Sequence, residues 1–297
     1  MKSGFVSIIG RPNVGKSTLL NSILGEKIAI TTDKPQTTRN SIRGIYTKYN
    51  EANADGVQIV FIDTPGIHRP RTKLGGYMTD VALNTFKEVD VVMFIVDDEL
   101  SSGPGDEYIL EMLKEVETTK ILIINKIDAI EPEKFRRIYD EYEKSGVFKH
   151  IFGVSATQGK NVDALLNTLE GLMNEGPMFF PEDMITDHPE RFIVSEIIRE
   201  KVLLYLEEEV PHGVAIEIES YKETPKLTKI GAIIYCERKS HKGIIIGKEG
   251  KKLKGIGKSA REEIEALLGT KVFLELWVKV KENWRDSDFL LNSLGYK

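Results

Sequence analysis

The run Gly10-Arg11-Pro12-Asn13-Val14-Gly15-Lys16-Ser17-Thr18 constrains the fold more than any other stretch of the chain. It has the spacing G-x-x-x-x-G-K-[ST], follows the apolar run FVSIIG, and precedes an amphipathic stretch near 16–24. Such a loop needs a buried strand before it and a helix after it, which is the repeating unit of an α/β sheet. Glycines at 10 and 15 let the backbone curl so that the amides from Asn13 to Ser17 point inward. The helix N-terminus adds partial positive charge, and the result is an anion site. Lys16 is placed to reach β- and γ-phosphates, and the Ser17 hydroxyl to ligate Mg²⁺.

The rest of the first half keeps the same rhythm. FVSIIG, VQIVFIDT, VDVVMFIVDD, KILIINK and HIFGVSA read as strands apolar on both faces, as a parallel sheet covered by helices requires. Amphipathic stretches near 76–86, 105–117, 132–145 and 161–174 lie between them. NSIRGIYTKYN and VQIVFIDT are separated only by EANAD, too short for a parallel crossover, so an antiparallel edge hairpin is expected. The rhythm stops near residue 174, where NEGPMFFPEDMITDHPERF has three prolines and no period. The expected organisation is a doubly wound, mostly parallel sheet domain over 1–175, a linker over 176–190 and a smaller α+β domain over 191–297. In the latter, a helix (191–210) precedes two strands, a glycine-lysine loop, the helix SAREEIEALL, the alternating strand VFLELWVKVK and a short terminal helix.

The net charge of −5 hides an asymmetry. Residues 1–189 carry 21 Lys and Arg against 28 Asp and Glu; residues 190–297 carry 20 against 18. Within 238–261 there are nine basic residues and one acid, Glu249, the footprint of a polyanion partner. Cys236 is the only cysteine, inside GAIIYC, so an internal disulfide is excluded and a buried structural thiol expected. The chain enters a strand directly, and its longest apolar runs fall far short of a membrane span. A reducing, cytoplasmic setting and a monomeric state are expected, with peripheral contact at the inner face of the cell membrane left open.

NKID at 125–128 stands at the C-terminal end of the fifth strand, the ligand-facing edge of such a sheet. A carboxylate there accepts two parallel hydrogen bonds from an N1–H and 2-amino edge, which guanine has and adenine lacks. Asp128 takes this role, Asn125 holds neighbouring loops, Lys126 covers the base plane and Ile127 lies between them. The Ala156 amide in Ser155-Ala156-Thr157 is placed for guanine O6. The nucleotide is therefore GTP. Asp63-Thr64-Pro65-Gly66-Ile67 ends the third strand; Asp63 is placed to hold Mg²⁺ through water and the Gly66 amide to sense the γ-phosphate. Thr38, in KPQTTRN at 34–40, completes the Mg²⁺ shell, with Thr37 its rival. That loop is polar and pattern-free and is expected to order with the γ-phosphate.

GRPNVGKST, PQTTR, DTPGI, NKID and SA in this order resemble the translation-factor-related GTPases of the Era family over roughly residues 4–175. Ras-type GTPases place a water-orienting glutamine where this chain has Ile67, so slow intrinsic hydrolysis is expected, served by Lys16, Asn13, Thr38 and Gly66. In related GTPases an asparagine at the place of Asn13 ligates K⁺; the rival reading is that Asn13 shapes the loop. Arg39 and Arg69 are alternative charge donors, both in loops expected to be mobile.

The second glycine-lysine stretch, Ile244-Ile245-Ile246-Gly247-Lys248-Glu249-Gly250, lacks a closing G-K-[ST] and is not a second P-loop. With two strands before it and a helix and strand after it, it resembles a type II KH domain. That resemblance implies a clamp on about four unpaired nucleotides. Glycines allow close backbone approach, Lys248, Lys251, Lys252, Lys254 and Lys258 would meet phosphates, and the three isoleucines would floor the bases, with some of them in the core and at least half their bulk expected to be buried. Arg238, Lys239, Lys242 and Arg261 extend the positive field. Together the two resemblances imply ribosomal RNA near the 3′ end of the small-subunit species and a part in assembling that subunit. The competing reading of the lysines is an acidic protein partner or anionic lipid.

Overall fold

The computed structural model describes residues 1–50, 55–67, 70, 72–97 and 104–296. In chain order the elements are β1 (Lys2–Gly10), α1 (Lys16–Leu24), β2 (Ile42–Asn50), β3 (Asp55–Asp63), α2 (Lys73–Asn84), β4 (Val91–Val96), α3 (Pro104–Lys114), β5 (Thr119–Ile124), α4 (Pro132–Lys144), β6 (His150–Gly153), α5 (Val162–Leu172) and β7 (Asn174–Glu175). They continue with α6 (Glu190–Tyr205), β8 (Ala215–Lys222), β9 (Leu227–Cys236), α7 (Lys239–Ile246), α8 (Lys251–Leu268), β10 (Lys271–Val280) and α9 (Asp288–Ser293). The chain divides into two compact units. One comprises Met1–Ala29, Thr38–Pro70 and Met78–Asp187; the other comprises Ile30–Thr37, Arg71–Tyr77 and His188–Lys297.

The first unit is built on one sheet with strand order β2-β3-β1-β4-β5-β6. β1 pairs parallel to both β3 and β4, while β2 runs antiparallel at the edge against β3, from Ile42↔Asp63 to Asn50↔Asp55. β4, Val-Val-Met-Phe-Ile-Val, is buried at every position, as a strand covered on both faces requires. Because β3 lies on one side of β1 and β4 on the other, the crevice outside their carboxyl ends is the place where such sheets bind ligands. Gly10, Asp63, Asn125 and Ser155 all sit at or just past those ends.

The segment read as a linker, 176–190, follows a two-residue strand and is largely packed chain. β7 pairs antiparallel with β1 through Lys2↔Glu175 and Ser3↔Asn174. Beyond it, the Gln58 carboxamide oxygen accepts from Phe179 and Phe180 N–H at 2.8 and 3.0 Å, and Ile45 N–H donates to Ile185 O at 2.8 Å. Arg43 pairs with Asp187 at 2.6 Å. The three prolines break helix and strand, yet their neighbours find backbone and carboxamide partners along β2 and β3.

The second unit has a three-stranded sheet of order β10-β9-β8, with β9 and β10 parallel from Lys271↔Leu227 to Val280↔Cys236. Its core takes Ile198 and Val202 from α6, Ile234 and Cys236 from β9, Ile245 from α7 and Ile256, Ala260 and Ile264 from α8. Cys236 is a free, buried thiol, raised above its ordinary pKa by that burial. Two expectations fail here. The 191–210 helix ends at Tyr205, because Leu206 turns extended (φ −113, ψ 155) ahead of three consecutive glutamates and Pro211. The stretch 244–258 is no open loop but helix, turn and helix: only Gly247–Gly250 interrupts α7 and α8. Gly247 and Gly250 both stand at φ 72, which ends one helix and starts the next without Cβ strain. The buried stripe Ile256, Ala260, Ile264 has period four, so helical burial outweighs the weak propensity of Gly255 and Gly257. Among the described residues no helix is long and apolar enough to cross a membrane.

Candidate functional site

The loop from Gly10 to Gly15 closes over the crevice at the end of β1. Gly15 stands at φ 97, and a Cβ there would collide with the Asn125 amide. Gly66 lies against Pro12, where a Cβ would come within 2.6 Å of the Pro12 nitrogen. These close approaches explain why glycine is required at both places. Asn13 adopts φ 66 and is exposed; Val14 is fully buried, so its side chain anchors the loop while its backbone stays in it. Lys16 is buried, and its ammonium donates to the carbonyls of Gly10 and Arg11 at 3.2 and 2.8 Å. Burial lowers its pKa to about 8. Thr18, next along α1, is half-buried.

Three hydroxyl and carboxylate groups from separate elements converge beside Lys16. Ser17 Oγ donates to Asp63 Oδ2 at 2.5 Å, Thr38 Oγ1 lies 2.9 Å from Ser17 Oγ, and Thr38 Oγ1 donates to Asp63 Oδ2 at 3.4 Å. Asp63 is fully buried; burial raises its carboxyl to about 6 against the pull of Lys16, and its Oδ1 has no hydrogen-bond partner. An all-oxygen set with an orphaned buried carboxylate oxygen fits a hard divalent cation such as Mg²⁺. Thr37 is elsewhere: its hydroxyl bonds Thr32 Oγ1 at 2.7 Å and the Lys34 carbonyl at 2.6 Å.

The remaining residues of the Asp63 loop are mostly committed to the fold. Thr64 Oγ1 donates to Ile8 O at 2.8 Å, and Pro65 is buried. Ile67 N–H donates to Gly10 O at 3.1 Å while its side chain joins the core with Phe94 and Ile109. Ile67 is therefore a structural residue at the position where a water-orienting group would stand. Arg39, expected in a mobile loop, is buried at 2% exposure; Arg69 lies outside the described residues.

At the far end of the crevice Asn125 ties three segments. Its side chain donates to Val14 O at 2.9 Å and accepts from Ala156 N–H at 3.1 Å, and its backbone N–H donates to Val96 O at 2.8 Å. The Ala156 N–H, assigned to guanine O6 from sequence, points to Asn125 Oδ1 in this structure. Ser155 is buried and exchanges backbone bonds with Lys160 at 3.2 and 3.1 Å. Lys126 adopts φ 63, Ile127 N–H donates to Val154 O at 3.2 Å, and Asp128 is exposed at the mouth. The Arg11 guanidinium is held by two carboxylates, Asp97 and Asp106, at 3.1 and 2.8 Å. Only its carbonyl reaches the Lys16 ammonium.

In the second unit α8 and β10 flank a groove of about 450 Å³. Gly250, from the turn before α8, lines it with Lys254, Lys258 and Arg261 of α8 and the apolar Leu253 and Gly257; Val272, Phe273, Leu274 and Leu276 line it from β10. Lys248, Lys251, Arg238, Lys239 and Lys242 are exposed, and Lys252 is half-buried. Glu249 pairs with Lys251 at 3.2 Å in the open, where such a pair is worth little. Of the three isoleucines expected to floor the bases, Ile244 is 43% exposed, Ile246 half-buried and Ile245 fully buried in the core. Ile245 is therefore corrected to a core residue; one turn of helix cannot point three consecutive side chains the same way. Leu253 of α8 and Leu274 and Leu276 of β10 give the groove its apolar lining, the last two signalled by the alternation of VFLELWVKVK.

Residues 5–126 match the family described as 50S ribosome-binding GTPase, and residues 209–285 match the KH domain family. GTPase Era of Alkaliphilus oremlandii is 60% identical over 297 residues, covering 99% of each chain. This chain belongs to the Era family of GTPases. GTPase Era of Clostridioides difficile is 55% identical over 298 residues, covering 99% of this chain and 98% of that one. Among solved structures, an Aquifex aeolicus Era variant bound to GDP and AlF4⁻ superposes with a TM-score of 0.94 at 42% identity, over 100% of this chain and 99% of that one. A crystal structure of Era in complex with MgGDPNP and nucleotides 1506–1542 of 16S ribosomal RNA matches with the same TM-score, identity and coverage. The two-domain architecture, a P-loop GTPase followed by a KH domain, is that of the family.

Proposed function

We propose that this GTPase is a nucleotide-dependent RNA switch that binds unpaired 16S ribosomal RNA near its 3′ end and acts in assembly of the small ribosomal subunit. The observation that carries the proposal is the presence, in one chain, of the Ser17–Thr38–Asp63 oxygen cluster and the lysine-rimmed groove of α8 and β10. The solved Era complex with MgGDPNP and a 16S RNA fragment supports it.

Ser17, Thr38 and Asp63 would hold Mg²⁺, which when bound neutralises charge on the β- and γ-phosphates. Lys16 leaves its two carbonyl partners for those phosphates, the Gly66 amide reads the γ-phosphate, and Asp128 reads the guanine edge under Lys126. Asn13 and Lys126, at the two ends of the nucleotide, both hold a positive φ. Hydrolysis is slow because the Ile67 side chain is in the core. Asn13, exposed at the loop mouth, is proposed to hold K⁺ and supply positive charge; equal rates in Na⁺ and K⁺ would contradict this. In the groove, phosphates meet Lys248, Lys251, Lys252, Lys254 and Lys258, and bases lie over Leu253, Leu274 and Leu276. The protein works as a monomer in the cytoplasm, which sedimentation and cell fractionation test; recovery with membranes would favour the peripheral reading.

The test is fluorescence anisotropy of a labelled unpaired RNA of that 3′-end sequence, with a non-hydrolysable GTP analogue against GDP. Salt-dependent binding that is tighter with the analogue is expected. Equal binding in both states would remove the switch, and absence of binding in both would favour a protein or lipid partner for the lysines.

A further inference from the structure

Asp97, immediately after β4, is a nearly buried carboxylate placed between two cations that belong to different ends of the nucleotide site. Its Oδ1 accepts from Arg11 Nη2 at 3.1 Å and its Oδ2 from Lys126 Nζ at 2.9 Å. The Arg11 Nε is turned to Asp106, 2.8 Å away, whose side chain is 1% exposed. Gly105 leaves room for this arrangement, since a Cβ there would come within 2.9 Å of Arg11 Cδ. The loop that holds phosphates and the loop that holds the base thus share one counter-ion, and Asp97 lies in none of the nucleotide motifs.

We infer that Asp97 is a positioning residue for nucleotide binding: it fixes the Lys126 ammonium over the base site, its other oxygen being held by Arg11 of the phosphate loop. The inference rests on the proposed role of Lys126 as cover of the guanine plane. Lys126 is a long, flexible side chain, 42% exposed, on a backbone held at φ 63. A lysine so exposed samples many rotamers unless a charge partner selects one. The Asp97 side chain is 11% exposed, so its bonds to both cations act in a medium that screens them less than water does. Removing its charge would release Lys126 and leave Arg11 with Asp106. The effect falls on the base side, so it should weaken GDP and a GTP analogue equally, unlike a change at the Mg²⁺ cluster.

The experiment is a double-mutant cycle on the full-length chain with Asp97→Asn, Lys126→Ala and the double variant, read by fluorescent GDP and GTP-analogue titration. Asp97→Asn keeps size and removes charge; about a tenfold loss for both nucleotides is expected. The double variant should bind no worse than Lys126→Ala alone, because the two groups act as one. Losses that multiply would overturn the inference, as would Asp97→Asn binding like the parent. If Lys126→Ala alone binds like the parent, the base-cover reading falls and this inference with it; a loss in Lys126→Ala without one in Asp97→Asn overturns this inference only. Asp97→Glu, which keeps the charge, should recover most of the affinity, and this arm decides the matter should Asp97→Asn fold poorly. Glu binding as weakly as Asn would overturn the proposal.

Discussion

Asn125→Ala should weaken guanine-nucleotide binding although Asn125 is assigned no phosphate contact of its own. The Asn125 side chain is 2% exposed and spends both its polar atoms on neighbours, donating to Val14 O at 2.9 Å and accepting from Ala156 N–H at 3.1 Å. Alanine strands a carbonyl and an amide in a buried place, each costing about 1–3 kcal/mol. The free protein relieves that penalty when the loops part, and nucleotide binding re-imposes it; if water reaches one of the two groups, about 1–3 kcal/mol remains, which at about 1.4 kcal/mol per tenfold is roughly 5- to 150-fold in affinity. Affinity is the right readout, because a chain of two units need not unfold in one step and a single unfolding free energy would be ill-defined. Titration and displacement of a fluorescent GDP analogue from purified full-length protein measures it. Asn125→Asp should do no better, since its carboxylate faces the Val14 carbonyl with no hydrogen to offer. Gly15→Ala should imitate the loss from the other side, as its methyl displaces the same amide. A folded Asn125→Ala protein that binds GDP within threefold of the parent would refute the reasoning.

Three further outcomes are expected. Ser17→Ala removes one of three converging oxygens, so GTP-analogue affinity in Mg²⁺ should fall at least about tenfold, and adding EDTA should then cost little more; an undiminished EDTA effect would contradict the metal assignment. Lys16 stands near 8 through burial, and a bound phosphate favours its charged form, raising it toward the ordinary 10.5. Binding should therefore take up a proton in the interval between those values, so GDP affinity declines as pH rises above about 8; calorimetry in buffers of different ionisation heat detects that proton, and its absence at pH 9 would argue against the shift. Lys251→Glu with Lys252→Glu should flatten the salt dependence of RNA binding by about two phosphate contacts; an unchanged slope would show that these side chains do not touch phosphate.

Much of this architecture is legible in the chain before any coordinates. β4 and β5 announce themselves because VVMFIV and ILII admit no polar face, and the loop at 10–18 fixes which strand end carries the site. The two-residue β7 was hidden, since Asn174 and Glu175 have neither length nor β-branching and pair only because β1 leaves room beside Lys2 and Ser3. α7 was hidden by composition: glycine and lysine suggested a loop, and only burial of Ile245 in the second unit reveals the helix. At the nucleotide site the backbone roles were readable from motif spacing. The side-chain partners were not, because Asp97, Asp106 and Ala156 meet Arg11 and Asn125 from positions 31 to 95 residues away. The groove floor on β10 could have been read from its alternation once the strand was known to lie beside α8.

The packed segment after β7 carries a consequence for solubility. β2 is the free edge of the large sheet, with a row of backbone groups that an outside strand could pair with. Ile45 gives its N–H to Ile185, Thr186 Oγ1 donates to the Arg43 carbonyl at 2.7 Å, and Asp187 caps Arg43, so residues 185–187 occupy that row from within the chain. A chain ended at residue 175 would keep every nucleotide motif and lose this guard. It should self-associate through β2 as its concentration rises, while a chain carried through residue 187 stays dispersed.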